Sequence, residues 1–296
     1  MFNEDNTIEK MVISTLTKNG WNFISADDLP RDFSDVMVEP MVKEALIRLN
    51  PEIAEEPSRA DEVIYKLRAI ILSVQHHNLI TQNELFQRMI FEENSYPFGK
   101  NGRMIPIRFF GTMKKEDLIL NEYVVTNQWI YPQAEGGKRL DIVLLVNGFP
   151  ISIGELKTPV RNAITWLDAA SDISSYEKSI PQMFVTNVFN FGRCYRYGSV
   201  GMPVNMWGPW HTPNHKSEGS LADVKVSIAD MITPEKVMDI FQFFTLFATD
   251  KKHVKYKIIC RYQQYEGANL IVQRVIAGYP KQGLIWHFQG SGKSLL

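Results

Sequence analysis

Two carboxylates and a lysine flank a short turn near the middle of the chain. Asp141 begins one apolar run, and Glu155 and Lys157 end the next. Asn147-Gly148, between the runs, is the strongest short-range signal for a β-hairpin. Glu155 and Lys157 are two residues apart, so on a strand both side chains point to one face. The pattern predicts a hairpin that carries all three groups.

The register of this hairpin decides whether the carboxylates meet. A tight two-residue turn places Asp141 opposite Gly154, whereas a loop or bulge one residue longer places it beside Glu155. Adjacent carboxylates repel each other, which raises a pKa unless a cation lies between them. With Mg²⁺ held by Asp141 and Glu155, the pair forms a hard oxygen site that activates water. Lys157 then stabilises charge on a phosphate, which is the chemistry of phosphodiester cleavage.

The alternative is an edge hairpin whose charged ends are merely solvated. An aspartate and a Glu-x-Lys pair occur often by chance, so the triplet alone does not decide between the two hypotheses. Thr158-Pro159 ends the second strand directly after Lys157. A carboxylate and a lysine at the end of an apolar strand are exposed to solvent only if the strand end opens into a cleft. This context favours the nuclease hypothesis.

This constellation resembles the PD-(D/E)xK nuclease superfamily. The segment 138–157 is similar, more specifically, to the restriction (motor) subunit of type I restriction-modification enzymes. Leu140 stands where that family usually has the proline of Arg-Pro-Asp, a change that removes no ligand. The family also carries Gln-xxx-Tyr on the next helix, where this chain has Asp172 and Tyr176, which share a helix face at i, i+4. The resemblance implies that this pair supports the site, although Asp172 cannot donate a hydrogen bond as glutamine does.

The first predicted helix, residues 6–18, contributes one more candidate. Asn6 is a plausible N-cap and Glu9 follows three residues later, as in a capping box. The resemblance implies that a glutamate on this helix assists the metal site, which makes Glu9 the candidate. A capping or solvated Glu9 remains the alternative.

The hydrophobic periodicity of the rest of the chain predicts an α/β fold, in which helices flank a mixed sheet. Thr81 is the expected N-cap of one helix. Helices are predicted over 37–49, 58–78, 81–92 and 161–178, and strands over 105–110, 123–126, 128–131 and 182–186, besides the hairpin.

Residues 199–219 are rich in Gly, Pro, Asn and His and predict a long irregular loop. Trp207 and Trp210 within it either stack on unpaired bases or pack between domains. His211 and His215 have H-x₃-H spacing, but no cysteine or carboxylate completes a zinc set.

Thr233-Pro234-Glu235 begins a helix expected to run to about residue 248. The basic run Lys251–Lys257 follows, and it either tracks a phosphate backbone or forms a solvated linker.

The C-terminal segment predicts a nucleotide site. A helix over 262–277 and a buried strand over 283–288 precede the back half of a P-loop, whose residues are Gly290, Ser291, Gly292, Lys293 and Ser294. Its glycines allow backbone N–H groups to approach phosphate, the lysine reaches the β/γ oxygens and the final serine ligates Mg²⁺. His287 occupies the position of the first P-loop glycine.

The family resemblance assigns adenine recognition to Gln264, and a glutamine at an exposed helix start is the alternative. No acidic Walker B segment follows the P-loop, so we expect these residues to be the front part of a longer protein.

Composition excludes few classes of protein. The 296 residues are 45% hydrophobic with a net charge of −1, which permits more than one domain and gives no global support for nucleic-acid binding. Cys194 and Cys260 lie far apart and form no CxxC, as expected for a reduced, cytoplasmic protein. No apolar stretch reaches membrane-spanning length.

Taken together, the sequence predicts a PD-(D/E)xK endonuclease domain over residues 1–222. Residues 223–296 are predicted to be the linker and incomplete start of a P-loop helicase-type motor. The resemblance implies Mg²⁺ and ATP as cofactors, double-stranded DNA as substrate, and methyltransferase and specificity subunits as partners. Two alternatives remain: a stand-alone helicase-associated repair nuclease, and a non-catalytic DNA- or protein-binding module.

Overall fold

The computed structural model describes residues 4–112, 115–132, 137–157, 165–192, 196–210 and 221–286. These ranges contain both helices and a central sheet, which confirms the mixed α/β class. The strands are β1 (Asn22–Phe23), β2 (Ser95–Tyr96), β3 (Ile105–Pro106), β4 (Tyr123–Tyr131), β5 (Lys138–Val146), β6 (Phe149–Glu155), β7 (Phe189–Gly192), β8 (Arg196–Gly198), β9 (Gly208–Pro209), β10 (Thr245–Thr249) and β11 (Lys255–Ile259).

The α-helices are α1 (Glu4–Lys18), α2 (Glu39–Leu49), α3 (Pro51–Glu55), α4 (Ser58–Ser73), α5 (Leu79–Phe91), α6 (Trp166–Ser179), α7 (Leu221–Met231), α8 (Pro234–Phe243) and α9 (Tyr262–Ala277). Short 3₁₀ turns lie at Lys100–Gly102, Lys115–Leu120, Pro181–Phe184 and Val204–Met206. Over the described residues, none of these helices is long and apolar enough to span a membrane.

Seven strands form the main sheet, in the order β1-β4-β5-β6-β7-β8-β9. The β1–β4 and β6–β7 pairs are parallel, and the other neighbours are antiparallel. Two small antiparallel sheets, β2–β3 and β10–β11, lie apart from it.

The apolar run of strand β5 requires that both faces of the sheet are covered. Residues 142–146 are fully buried, as expected for a continuous apolar run with no solvent-facing side. Asp141 precedes this run and is only partly buried. Helix α6 packs on β6 and β7, and α1 packs near β1 and β4. The start of β5 and the end of β6, which carry the polar residues, therefore lie at the boundary between the core and solvent.

The N-terminal helices lie where the sequence predicts them, but their ends differ. Helix α1 begins at Glu4, so the predicted N-cap Asn6 lies within the helix. Thr81 is not the N-cap of α5, because the side chain of Asn78 accepts hydrogen bonds from the backbone of Ile80 and Thr81 at 2.9 and 3.3 Å. The helix predicted over 58–78 ends at Ser73, and the short α3 was not predicted.

Residues 105–131 hold one strand shorter than predicted and one longer strand in place of two predicted ones. Only Ile105–Pro106 of the run 105–110 is a strand, because Pro106 lacks a backbone donor for further pairing. Residues 123–126 and 128–131 belong to one strand, β4, which continues through a left-handed backbone at Gln128 (φ 54°).

The predicted strand over 182–186 is wrong. Pro181–Phe184 forms a 3₁₀ turn, and the strand β7 begins later, at Phe189. Met183, Phe184 and Val185 are nevertheless fully buried. A short buried apolar run cannot be assigned to strand or helix by periodicity alone, which is the reason for the error.

The segment after Thr233 folds back on itself earlier than expected. Thr233 caps α8 as predicted, but α8 ends at Phe243 and residues 245–249 are strand. The basic run is not a solvated linker throughout, because Lys255 pairs with Glu84 and Lys257 is 4% exposed. Helix α9 is confirmed.

The predicted strand over 283–288 is not found in the described residues. Residues 283–286 form no strand, and Trp286 is 85% exposed. A strand there requires neighbouring strands, which the described residues do not supply.

Trp207 and Trp210 are buried, at 3% and 2% exposure, so the packed alternative describes them and stacking on bases does not. His211 and His215 lie outside the described residues.

Helix α7, which was not predicted, packs against α1. Asn19 Nδ2 donates to Ala229 O across that contact. The domain boundary at residue 222 stays a prediction.

Candidate functional site

The hairpin of β5 and β6 brings the two predicted carboxylates together. Asn147 and Gly148 form its two-residue turn, both with positive φ (49° and 82°), as a type I′ turn requires. Leu145 pairs with Pro150, but the next pair is Leu144 with Ser152, so one extra residue bulges from β6.

This bulge determines the register at the far end of the hairpin. Ile142 pairs with Gly154, and continuing the same register places Asp141 opposite Glu155. The hairpin therefore has both a tight two-residue turn and a bulge in β6. The bulge supplies the extra residue that aligns the two acids. The prediction that a bulge would set them side by side is confirmed.

Lys157 connects the hairpin to the next helix. Its Nζ lies 2.9 Å from Glu155 Oε1 and 2.6 Å from Asp172 Oδ2. Asp172 and Tyr176 are four residues apart on α6, and the Tyr176 hydroxyl donates to Glu155 Oε2 at 3.4 Å. The structure thus brings the two hairpin acids, the lysine and both α6 residues to one place.

The start of α6 is set by its own sequence. Thr165 caps the helix through the backbone of Leu167, and the Asp168 carboxylate accepts from the Thr165 N–H at 2.5 Å, as in a capping box. A helix begun at this residue presents Asp172 and Tyr176 toward β6. Lys138, at the start of β5, lies with its Nζ 5.6 Å from the centre of the Tyr176 ring.

The electrostatics of the site follow from burial and like charge. Burial, together with the neighbouring Asp141 charge, raises the pKa of Glu155 to about 7. Burial also raises the pKa of Asp141, opposed by the hydrogen bond that Leu156 N donates to its Oδ2 at 2.8 Å. Two carboxyl groups in this state favour a cation between them.

Lys157 supplies part of that positive charge. Burial alone lowers the pKa of an amine, but the hydrogen bonds to Asp172 and Glu155 outweigh it and raise the pKa of Lys157. Burial, with the Glu155 charge added, raises the pKa of the Tyr176 hydroxyl. Lys157 is therefore a cation and Tyr176 a neutral donor at neutral pH.

Glu9 reaches the same region from α1. Asn127 Nδ2 donates to its Oε1 at 2.5 Å, and Gln128 Nε2 donates to its Oε2. The Glu9 carboxylate is close enough to contribute to raising the pKa of Asp141, after burial. Sequence reasoning did not find Asn127 and Gln128. The available signal was a polar pair interrupting the otherwise apolar strand β4.

The oxygen donors of this site suit a divalent cation that needs few protein ligands. Over the described residues, no three His, Cys, Asp or Glu side chains are grouped closely enough to hold a metal ion. Mg²⁺ usually takes only one or two protein carboxylates and keeps several waters. The facing carboxyl groups of Asp141 and Glu155 fit that requirement.

The predicted nucleotide residues are mostly beyond what the structure describes. Gly290, Ser291, Gly292, Lys293 and Ser294 all lie in the segment 287–296, outside the described residues. Gln264 is buried near the start of α9, and its Oε1 accepts from Arg261 N at 2.8 Å. Adenine recognition by Gln264 stays a prediction.

A mixed sheet flanked by helices, with two facing acids and a lysine at a hairpin end, defines an α/β protein with an acidic site at the ends of two interior strands. Residues 1–202 match the family model described as the N terminus of the type I restriction enzyme R protein. That match covers more than half of the chain, so the chain belongs to this family. Residues 263–296 match the SWI2/SNF2 ATPase model.

Curated relatives agree with this assignment. The type I restriction enzyme HindI endonuclease subunit of Haemophilus influenzae is 28% identical over all of this chain and 29% of its own length. Two putative endonuclease subunits of Methanocaldococcus jannaschii, MjaIXP and MjaVIIIP, are 23% and 27% identical over 99% and 94% of this chain. The chain spans 27 to 30% of the length of these three relatives.

Proposed function

We propose that this chain carries the DNA-cleaving site of a type I restriction enzyme, with a PD-(D/E)xK arrangement. The observation that supports it most is the bulged register, which places Asp141 opposite Glu155 with Lys157 bound to the latter. Membership of the R protein family and the names of the relatives point to the same activity.

Asp141 and Glu155 are the proposed ligands of Mg²⁺. When bound, the ion supplies positive charge that neutralises phosphate and activates a water molecule. Lys157 orients that water or stabilises negative charge on the phosphate as the water oxygen attacks phosphorus and the P–O bond to the leaving strand breaks. The positive charge of Lys157, secured by Asp172, suits this role.

Asp172 and Tyr176 act on the site through their neighbours. Asp172 holds Lys157 at 2.6 Å, and Tyr176 donates to the Glu155 oxygen that Lys157 does not contact. Both interactions fix the direction of a functional side chain. An aspartate in place of the family's glutamine is therefore explained here by an ion pair with Lys157.

For the longer protein we propose ATP-driven DNA translocation coupled to this cleavage, in the cytoplasm. The SWI2/SNF2 match over 263–296 supports a motor, with Lys293 and Ser294 as the expected phosphate and Mg²⁺ contacts. Double-stranded DNA is the proposed substrate. Methyltransferase and specificity subunits are the proposed partners, because the family and its curated relatives are subunits of type I restriction enzymes.

The test is calorimetric titration of Mn²⁺ and Mg²⁺ into the purified chain. Wild type should bind, and Asp141→Ala should lose most of the heat because the remaining acid lacks its partner. Asp61→Asn, in an exposed ion pair with Lys43, is the matched control and should bind as wild type does. Equal heats for wild type and Asp141→Ala would favour a non-catalytic DNA- or protein-binding module instead.

A further inference from the structure

Two basic residues precede the acidic site on β5. Lys138 and Arg139 are the first residues of the strand, and Asp141 follows two residues after Arg139. Side chains two apart on a strand point to the same face, so Arg139 and Asp141 share a face of the sheet. At a rise of about 3.4 Å per residue, the Cα atoms of Arg139 and Lys138 lie roughly 7 and 10 Å before that of Asp141. The two cations therefore lie next to the proposed metal ligands.

The start of β5 extends beyond the neighbouring strand β6. Strand β6 ends at Glu155, which faces Asp141, so among the described strands residues 138–140 pair with β4 alone. Arg139 is exposed and Lys138 is half-buried. Both side chains can therefore reach a ligand that lies across the end of β6.

Lys138 and Arg139 form no ion pair within the part of the chain that the structure describes. Lys138 instead places its Nζ 5.6 Å from the centre of the Tyr176 ring, whose hydroxyl donates to Glu155. An aromatic face attracts a cation, so Lys138 is held toward the site. Burial raises the pKa of Asp141, and the charge of Arg139 is among the influences that oppose this rise. Both cations therefore act on the site by position, and their charges remain available to a ligand.

The other charges of the site leave it negative toward a phosphate backbone. Four carboxylates lie in or beside the site, and they are Glu9, Asp141, Glu155 and Asp172. Lys157 and one divalent cation contribute a charge of +3 against them, which leaves a net charge of −1. Lys138 and Arg139 change this to +1. Because a polyanion is repelled by a negative surface and attracted by a positive one, the pair reverses the sign of the charge that DNA meets.

We propose that Lys138 and Arg139 contact the phosphates of double-stranded DNA that flank the bond to be cleaved. This inference rests on the proposed function of the site. It assigns the start of β5 to the DNA interface, on the same strand as the proposed metal ligand Asp141. Contacts of this kind fix the position of the duplex and read no base sequence.

The experiment measures binding of a short, fluorescently labelled DNA duplex to the purified chain by anisotropy, over a series of salt concentrations. Ca²⁺ is present as an oxygen-liganded cation that neutralises the carboxylates. Lys138→Gln and Arg139→Gln should each reduce the slope of log affinity against log salt by about 0.9, the value for one lost phosphate contact. Affinity should fall roughly 8-fold at about 0.1 M salt. A second duplex of unrelated sequence should show the same changes, because phosphate contacts are independent of sequence.

Lys66→Gln is the matched control, because Lys66 also lies over a tyrosine ring, 4.1 Å from the centre of Tyr96, but belongs to α4, which packs on α2 and α5. It should keep the wild-type slope. Arg139→Lys and Lys138→Arg retain the positive charge, so each should recover the slope that the glutamine variant loses. The Mn²⁺ affinity of both glutamine variants, measured calorimetrically, should not fall, since neither residue is a proposed metal ligand.

An unchanged slope in both glutamine variants, with Mn²⁺ bound by wild type, would overturn the phosphate contacts and leave the proposed function intact. So would a wild type that binds Mn²⁺ but no duplex, or an Arg139→Lys variant that loses as much slope as Arg139→Gln. A fall in Mn²⁺ affinity in the glutamine variants would show a structural effect and would also overturn the contacts. No Mn²⁺ binding by wild type would overturn both proposals.

Discussion

Gly154 shows how a single residue sets the shape of the site. It precedes Glu155 on β6 and faces Phe191 across the parallel β6–β7 pair. A Cβ atom on Gly154 would lie 2.2 Å from the Phe191 ring, which is fully buried. The ring thus occupies the place of the missing side chain. The backbone that carries Glu155 is held against a core that cannot move away.

Gly154→Ala should therefore destabilise the protein, by roughly 1–3 kcal/mol, as overpacking in a dense core does. Urea denaturation measures this change. Gly208→Ala is the control, since among the described residues no atom apart from its chain neighbours lies within 4 Å of the Cβ position in β9. It should change stability by no more than about 0.5 kcal/mol. Equal stability of the two variants would show that the Phe191 ring can shift.

At the scale of elements, α6 joins the acidic site to the β10–β11 hairpin. One side of the helix carries Asp172 and Tyr176. The next residue, Glu177, accepts from Gly201 N at 3.1 Å and interacts electrostatically with Lys257 of β11. Lys257 is buried and donates to Asn187 O at 2.5 Å. The partly buried Glu177 and the buried Lys257 thus link the two elements.

This pair gives a pH dependence of stability. Burial raises the pKa of Glu177 to about 7, so its protonated form is favoured in the folded protein and that stabilisation is lost between pH 4.5 and 7. Burial lowers the pKa of Lys257 to about 7, so its contribution is lost as pH falls from 10.5 to 7. The contribution of the two groups is smallest near neutral pH.

We expect the unfolding free energy of wild type minus that of Glu177→Gln to fall steadily as pH rises from 4.5 to 7, because only wild type carries the carboxyl group whose pKa burial raises. Urea denaturation across that range measures it. Glu62→Gln, at an exposed i, i+4 pair with Lys66, is the control and should differ from wild type by no more than about 0.5 kcal/mol throughout. A wild type that gains stability relative to Glu177→Gln as pH rises would contradict the assigned direction of the pKa shift.

At the scale of the whole molecule, the chain joins two family matches. Residues 1–202 match the R protein N terminus, and residues 263–296 match a SWI2/SNF2 ATPase. The β10–β11 hairpin lies between them in sequence and contacts α5 through β11. The described residues before the SWI2/SNF2 match therefore include a packed hairpin between the two matched segments.

The separation of cleavage from motor activity can be tested in a complete restriction enzyme that contains this chain. Asp141→Ala and Lys157→Ala should abolish DNA cleavage and retain ATP hydrolysis, because neither residue belongs to the nucleotide site. Lys293→Ala should lose both activities, since in the proposed function the motor supplies DNA to the cleavage site. Loss of both activities, or of neither, in the first two variants would contradict their assigned roles.

Much of this fold follows from local signals in the sequence. Asn147-Gly148 favours the two-residue turn, because both positions require positive φ. Thr233 followed by Pro234 predicts the start of α8, since the cap satisfies a free N–H and proline needs none. The candidate acids and the lysine were found because they end apolar runs at a turn. Each of these signals acts over a few residues.

Tertiary structure decided the features that depend on register and long-range packing. The bulge in β6 aligns Asp141 with Glu155, and nothing local to either residue requires it. Glu9 meets Asn127 only after α1 packs on the sheet. Lys257 is in a basic run typical of solvated segments, yet it is buried by the fold around it. Local preferences choose turns and helix ends, whereas the burial of the whole core selects among the registers and contacts that those preferences leave open.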